Sequence, residues 1–301
     1  MTTIESNAQL EARMQEQLTN AQLEARRRQR TLRMKQIFGN AYLWVLLVVL
    51  YAPILMIIVF SFTKSKVFGN WTGFTLQLYE NLFTGYDSAA QVRVDPNLYR
   101  AVAYTGLIAL IAATVSTILG TLAAIGIFNM RAKQRRAIQL LNSVPMINPD
   151  ILTGISLFLL FVFMGIARGL VTVCIAHVVF CTPYVVLSVL PRLSKMNPNI
   201  YEAALDLGAT PFQALRKVLI PELRPGMISG FILALTLSID DFGVTFFTKG
   251  SGGLETLSTF IYADARKGGL TPELRPLFSL IFLVILVLLV VMNVRAAKQQ
   301  K

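Results

Sequence analysis

Long apolar blocks constrain this chain more than any other feature of its sequence. An α-helix needs roughly 20 apolar residues to cross a hydrocarbon core of about 30 Å. Six blocks approach that length, and they are not divided into the shorter runs typical of a soluble α/β protein. The mean hydropathy is +0.59, and 54% of the 301 residues are hydrophobic, which is unusual for a soluble domain. The sequence therefore predicts an all-α membrane protein with six transmembrane helices.

Polar segments with turn residues separate the predicted spans. The third block contains Pro145 and Pro149, and a helix cannot continue regularly through two prolines four residues apart. We therefore predict a break there, with a span starting near Ile151. The six predicted spans are approximately 41–62, 101–128, 151–166, 170–190, 227–248 and 276–294.

The formal net charge of +12 first suggests a nucleic-acid partner. The Lys and Arg residues, however, flank the apolar blocks, as the positive-inside rule describes for membrane proteins. With six spans, eighteen of these residues lie on the side of both termini, nine lie on the other side, and Arg13 is remote from the membrane. Both termini are therefore predicted to be cytoplasmic. The first block follows about 40 polar residues, so we expect no cleavable signal peptide.

A polar extension, residues 1–36, precedes the predicted six-span domain of residues 37–301. It contains the heptapeptide NAQLEAR twice, at 7–13 and at 20–26. Its Ala, Gln, Leu, Glu and Arg content favours helix. The repeat is compatible either with a solvated or surface-lying helix or with a docking element for a partner. The basic run that ends the extension is typical of a cytoplasmic membrane flank.

The fourth apolar block contains both cysteines and the single histidine of the chain. Cys174 and Cys181 lie seven residues apart within it and are expected to be small packed side chains. His177 is the single histidine of the chain, and we expect it to be a hydrogen-bonded interior group. Two cysteines and one histidine do not make a metal site of ordinary spacing, so no metal is predicted.

The loop between spans four and five, residues 195–226, is predicted to contain two short helices. Gly208 ends the first, Thr210 caps the second, and Pro211 occupies the first position of that second helix. Pro221 is expected to stop it. An ordered cytoplasmic loop of this kind favours a docking surface, although an interfacial helix without a partner would have the same pattern.

This loop resembles the EAA motif of ABC importer permeases, which reads E-A-A, three residues, G, nine residues, I-x-L-P. Two apolar replacements distinguish it, Val218 for the usual Ile and Ile220 for the usual Leu. The resemblance implies the type I importer (MetI-like) fold and a coupling helix that contacts an ATPase subunit. The chain has no G-x-x-x-x-G-K-[ST] loop, so ATP and Mg²⁺ are expected on that separate subunit. The residues assigned to coupling are Glu202, Ala203, Ala204, Gly208, Val218 and Pro221.

Three acidic residues fall at membrane depth, Asp150 at the predicted break and the pair Asp240 and Asp241 in span five. A carboxylate there costs about 2.5–3.5 kcal/mol on insertion scales, so it should face protein or water. Neighbouring helical residues diverge by about 100°, so one Asp can face a path while the other turns toward a helix. Two interpretations stay open: recognition of a cationic substrate, and a hydrogen-bonded Asp that stabilises a kink.

Four stretches, PMINPDILTGISLFLLF, AHVVFCTPYVV, YEAALDLGAT and LTLSIDDFGV, resemble the spermidine/putrescine permeases of the PotC and PotI type. The likeness covers nearly all of residues 40–295. It implies a transport subunit of the inner or plasma membrane, not an enzyme. The resemblance also implies pairing with a second homologous permease, two ATPase subunits and an extracytoplasmic polyamine-binding protein. Asp150, Asp240 and Asp241 match family positions in the substrate path. The candidates to line the path around them are Tyr184, Thr236 and Ser238.

Three other functions compete with polyamine import. The same architecture could carry another small cationic or organic solute, and Lys249 near the outer mouth departs from the family pattern. An intramembrane aspartyl protease would need Asp150 and Asp240 to share a proton at about 3 Å, and its G-x-G-D turn is missing. A secondary transporter would show inverted repeats, and we find no convincing symmetry among the spans.

Overall fold

The computed structural model describes residues 34, 39–65, 67, 69–87, 91–197, 199–267 and 270–299. These residues are mostly helical, with one antiparallel hairpin in which β1 (Tyr86–Asp87) pairs with β2 (Val92–Arg93). The predicted N-terminal helix with its NAQLEAR repeat lies outside the described residues. The division of the chain at residue 36 therefore stays a prediction.

The helices, in chain order, alternate between long and very short segments. They are α1 (Gly39–Phe60), α2 (Gln77–Thr84), α3 (Pro96–Phe128), α4 (Ala132–Ile147), α5 (Asp150–Phe163), α6 (Leu170–Lys195), α7 (Asn199–Asp206), α8 (Pro211–Ala214), α9 (Ile220–Asp240), α10 (Gly243–Thr248), α11 (Leu257–Arg266) and α12 (Leu274–Gln299). A π-helical turn, Leu215–Leu219, joins α8 to α9. The described residues form two compact units, one containing those up to Phe83 and those from Pro272 onward, the other containing those between Thr84 and Thr271.

Among the described residues, four helices are long and apolar enough to cross a membrane: α1, α3, α6 and the continuous run Pro211–Asp240. They overlap predicted spans one, two, four and five. The predicted sixth span lies on α12, in which Leu274–Val287 is an apolar stretch. The architecture is therefore the predicted all-α membrane protein, with the third and fifth predicted spans differing in detail.

The third apolar block is a bent pair of helices and not one straight span. The predicted break is confirmed, because α4 ends at Ile147 and Pro149 directly precedes α5. The expectation of a complete span after the break is wrong. Helix α5 has 14 residues, about 21 Å at 1.5 Å per residue, and its axis is bent by 103° from that of α4. Proline disfavours the helical conformation for the residue before it, which makes this break abrupt.

The fifth span begins earlier and ends earlier than predicted, and Pro221 does not stop a helix. The π-helical turn lies just before Pro221, and the amide of Ile220 bonds five residues back to the carbonyl of Leu215. The hydrogen-bond ladder therefore changes register where proline has no N–H to contribute, and the helix continues. At its far end, α9 stops at Asp240, so the stretch predicted as one helix to Thr248 is a helix, an elbow and the short helix α10.

The core of the second unit is formed by α3, α6 and α9. Their contact surfaces contain small residues, as is usual where membrane helices pack closely. A Cβ added to Gly120 on α3 would lie 2.7 Å from Val185 on α6, and one added to Gly230 on α9 would lie 3.1 Å from the same valine. Val185 is therefore enclosed between glycines of two neighbouring helices. This closely packed three-helix core carries the α9–α10 elbow at one of its ends.

Helices α5 and α10 touch through their backbones. A Cβ on Gly154 would lie 2.7 Å from the carbonyl oxygen of Gly243, and one on Gly243 would lie 3.1 Å from the backbone nitrogen of Ile151 and 3.2 Å from the Asp150 carbonyl carbon. Only glycine fits such an approach without movement of the backbone. The contact brings Asp150, the first residue of α5, to the start of α10, three residues after Asp240.

The first unit combines α1 and α12 with the polar segment that follows α1. The Phe62 ring stacks on Phe74 at 5.2 Å and lies 5.3 Å from Tyr79. The Arg275 guanidinium donates to the Ser65 carbonyl at 2.8 Å. The apolar side chains of α1 are largely exposed, which suits contact with lipid or with a further membrane helix.

Candidate functional site

The two adjacent acids of the fifth span point in different directions, as the sequence predicts. Asp240 is the last residue of α9 and is exposed. Asp241 takes an extended conformation, with φ −64° and ψ 128°, and is 6% exposed. The chain therefore leaves the helix at Asp241, and the break separates an accessible carboxylate from a buried one.

Asp241 caps the short helix α10. Its Oδ1 accepts the amide N–H of Val244 at 3.1 Å, and its Oδ2 accepts the amide and the hydroxyl of Thr245, both at 2.8 Å. The first amides of a helix have no partner within the helix, and a carboxylate at this end also suits the helix dipole. Of the two interpretations that the sequence left open, Asp241 therefore fits a hydrogen-bonded Asp that stabilises a kink.

His177 completes this buried network from α6. Its Nδ1 lies 2.7 Å from the Ser238 hydroxyl, and its Nε2 lies 2.8 Å from the Thr245 hydroxyl and 3.4 Å from Asp241 Oδ2. The imidazole is 0% exposed. The expectation that His177 is a hydrogen-bonded interior group is confirmed. We refer to His177, Ser238, Asp241 and Thr245 as the elbow network.

The geometry divides the predicted path residues into two groups. Ser238 and Asp241 are buried in the elbow network, so neither offers its side chain to an accessible path in this structure. Thr245, four residues after Asp241, belongs to the same network through its hydroxyl. The participation of His177 could have been suspected only from its depth in an apolar helix, since its partners are more than sixty residues away.

The other predicted path residues have accessible side chains. Asp150 and Asp240 are exposed at two neighbouring helix breaks. Thr236 is exposed one turn before Asp240, and its hydroxyl donates to the Ile232 carbonyl at 2.9 Å. Tyr184 is half-buried on α6 beside Phe180. Carboxylates with an accessible face are suited to accept an ammonium group.

No cluster of three or more His, Cys, Asp and Glu side chains that could hold a metal occurs within the described ranges. The acids at the two helix breaks therefore differ from a built metal centre, in which several ligands converge on one point. Their chemistry is that of separate anionic groups along a surface.

We refer to residues 199–221 as the coupling segment. It begins with α7, which ends in a Schellman motif. Gly208 has φ +85°, its amide bonds to the Leu205 carbonyl at 2.9 Å, and the Ala209 amide bonds to the Ala204 carbonyl at 3.1 Å. A Cβ on Gly208 would meet nothing within 4 Å. The glycine is therefore required by its left-handed backbone and not by lack of space.

A capping box starts the next helix, as predicted. The Thr210 hydroxyl accepts the Gln213 amide at 3.3 Å, and the Gln213 side chain accepts the Thr210 amide at 3.1 Å. Pro211 occupies the first turn of α8, where its missing N–H has no consequence. The two helices are thus ordered by hydrogen bonds within a dozen residues.

Three of the six residues assigned to coupling are exposed on the protein surface. Glu202, Ala203 and Gly208 are exposed, while Ala204, Val218 and Pro221 are partly buried. Behind the segment lies a largely apolar cavity of about 600 Å³, between it and the ends of α3 and α6. Its lining comprises Ile125, Phe128, Asn129, Leu193, Met196, Tyr201, Glu202, Pro211, Phe212, Leu215 and Leu219.

Comparison with known proteins identifies the family. Residues 116–300 match the family described as binding-protein-dependent transport system inner membrane component. The PotC permease of a spermidine/putrescine transport system from Haemophilus influenzae is 35% identical over 254 residues, which cover 84% of this chain and 94% of that protein. The PotI permease of a putrescine transport system from Escherichia coli K12 is 35% identical over 261 residues, covering 83% and 89%.

A solved bacterial ABC transporter that imports the acidic polysaccharide alginate contains a chain of similar fold. The TM-score is 0.63 at 16% identity, with 88% of this chain and 96% of that chain covered. At this identity the likeness concerns the fold alone. It agrees with the MetI-like architecture that the EAA motif implied. The chain belongs to the family of binding-protein-dependent transport system inner membrane components, the permease subunits of ABC importers.

Proposed function

We propose that this chain is one of two permease subunits of an ATP-driven importer of linear polyamines, spermidine or putrescine. The observation that carries the proposal is the pair of accessible carboxylates, Asp150 and Asp240, at two neighbouring helix breaks. A polyamine carries separated ammonium groups, and separated carboxylates along a path can receive them in turn. Relatives with 35% identity are named as permeases of this cargo.

Coupling to ATP hydrolysis is assigned to the exposed motif residues Glu202, Ala203 and Gly208, supported by Ala204, Val218 and Pro221. In this proposal two ATPase subunits bind ATP and Mg²⁺, close, and push on the coupling segments of this chain and of a homologous second permease. An extracytoplasmic binding protein delivers the polyamine on the opposite side, and both termini of this chain lie in the cytoplasm. Closure opens the path outward, and hydrolysis returns it to the inward-facing state.

Asp240 is the group that we assign to direct contact with the cargo, with Asp150, Thr236 and Tyr184 beside it along the path. Asp241 and Ser238 contribute indirectly, because their polar atoms are engaged in the elbow network. This assignment is narrower than the six residues that the sequence suggested.

The test is uptake of labelled spermidine and putrescine by cells that lack polyamine import and express this chain with its chromosomal neighbours. We expect energised uptake of one or both, and loss of that uptake in Asp240→Asn with the complex still assembled. An assembled, ATP-hydrolysing complex that takes up neither compound would reject the polyamine. Direct uptake assays with other labelled small cationic or organic solutes would then identify the alternative cargo.

A further inference from the structure

His177 touches both arms of the α9–α10 elbow. Its Nδ1 meets Ser238 on the last turn of α9, and its Nε2 meets Thr245 on the first turn of α10. The ring is completely buried and lies on α6, which belongs to the closely packed core. We infer that His177 is a positioning residue of the transport path: it holds the elbow in the shape that turns Asp240 outward. The inference rests on the proposed role of Asp240 in cation passage.

The hydrogen bonds of the elbow network can be ordered by their donors. Thr245 donates its hydroxyl hydrogen to Asp241 Oδ2, so its oxygen must accept from His177, and Nε2 carries a hydrogen. With its hydrogen on Nε2, a neutral imidazole leaves Nδ1 as an acceptor, and the Ser238 hydroxyl, 2.7 Å away, then donates to it. Each donation therefore runs toward the Asp241 carboxylate, from Ser238 through His177 and Thr245. A neutral imidazole with the hydrogen on Nε2 satisfies the whole chain of bonds.

This arrangement restrains the backbone on both sides of Asp241. The carboxylate holds the first amides of α10, and the Asp241 carbonyl accepts the Ser258 hydroxyl of α11 at 2.6 Å. Asp240 is the preceding residue, so its direction follows from the conformation of its neighbour. A buried polar network that is fully satisfied specifies one geometry, because every alternative would leave a buried group unpaired.

A cysteine reporter can measure the direction of residue 240 without any substrate. The background is the complete importer with Cys174→Ala and Cys181→Ala, and the reporter is Asp240→Cys. The probe is a methanethiosulfonate reagent that carries a trimethylammonium group, and the rate of labelling is measured per assembled complex. We expect His177→Leu to slow labelling at position 240 by roughly tenfold, a typical coupling within a contacting network.

Matched variants separate positioning from a general loss of structure. His177→Gln offers an acceptor and a donor on one planar group and should keep the rate within about twofold. Thr172→Val removes another bond between α6 and α10, that of the Thr172 hydroxyl to the Thr248 carbonyl at 3.0 Å. This variant should leave the labelling rate at position 240 unchanged. A second reporter, Thr236→Cys, lies one turn earlier on α9, and it should be labelled at the same rate with and without His177→Leu.

Equal labelling at position 240 with and without His177→Leu would overturn the inference, and so would an equal fall at positions 236 and 240. If His177→Leu does not assemble, Ser238→Ala removes only the bond to Nδ1. That variant should slow labelling at position 240 by a few-fold, and an unchanged rate would equally overturn the inference. Because no polyamine is used, a slower rate together with absent polyamine uptake would reject the cargo and keep the positioning role of His177.

Discussion

The coupling segment and the α9–α10 elbow both interrupt helices, but they are held by different kinds of contact. In the coupling segment, Gly208 ends one helix and Thr210 starts the next through bonds to residues at most five positions away. At the elbow, Asp241 has local bonds as well, yet the network is completed by His177, more than sixty residues distant. The residues that order the first break are exposed, and the side chains that order the second are buried.

This difference matches the two roles that we propose for these regions, coupling and cation passage. A segment ordered by local caps keeps its shape when its surroundings move, which suits a surface that transmits a push. An elbow ordered by a distant side chain keeps its shape only while α6, α9 and α10 stay packed, so it can respond to movement of the core. The following predictions test that contrast, in order of expected effect.

Gly154→Ala should have the largest effect, since the elbow depends on contact between α5 and α10. The added Cβ would lie 2.7 Å from the Gly243 carbonyl oxygen, and overpacking of this kind costs roughly 1–3 kcal/mol. We expect a lower thermal midpoint for the purified complex and less assembled permease. Gly126→Ala on α3, where a Cβ meets nothing within 4 Å, is the control. Equal midpoints for the two variants would contradict the close approach.

Asp241→Asn and Asp240→Asn should separate the buried acid from the accessible one. The side-chain NH2 of an asparagine at position 241 would face the N–H and O–H groups that now donate to the Asp241 carboxylate. These buried donors would lose their acceptor, which costs about 1–3 kcal/mol. The thermal midpoint of the complex should fall for Asp241→Asn and stay unchanged for Asp240→Asn, which should lose uptake instead. A stable Asp241→Asn complex with strongly reduced uptake would assign Asp241 to the path after all.

Gly208→Ala should weaken coupling by disturbing the exposed break. An L-residue in the left-handed region costs roughly 1–2 kcal/mol. We expect uptake per assembled complex to fall, while the thermal midpoint is lowered only as far as this backbone cost requires, since no buried contact is lost. The control is Gly253→Ala, because Gly253 has a similar φ of +76° in open space but lies outside the coupling segment. Equal loss of uptake in both variants would contradict a specific role of the coupling segment in transport.

Thr210→Ala should have the smallest effect, confined to the helix that Thr210 caps. Loss of such a cap costs about 1 kcal/mol, and Thr210→Ser should restore most of it. Amide hydrogen exchange at residues 212–214 should be faster in Thr210→Ala and nearly normal in Thr210→Ser. If exchange at the elbow also accelerates, the two breaks are not independent.

The coupling segment could be predicted from the sequence almost completely, because glycine, threonine and proline act there on neighbouring residues. The exception is Pro221, which was expected to stop a helix and instead follows a π-helical turn. The candidate path was predicted less well. The divergence of Asp240 and Asp241 was anticipated from helical geometry, but Ser238 was assigned to the path although its hydroxyl bonds to His177.

The sequence by itself determined the membrane class, the positions of most spans, the break at Pro149 and the caps of the coupling segment. These follow from apolar length and from short-range backbone chemistry, which depend on residues close in the chain. Only the tertiary structure decided which acid is accessible, where α9 ends, and that glycines of α5 and α10 meet. Those features depend on side chains that are distant in sequence and adjacent in space, and burial makes each of their hydrogen bonds depend on all the others.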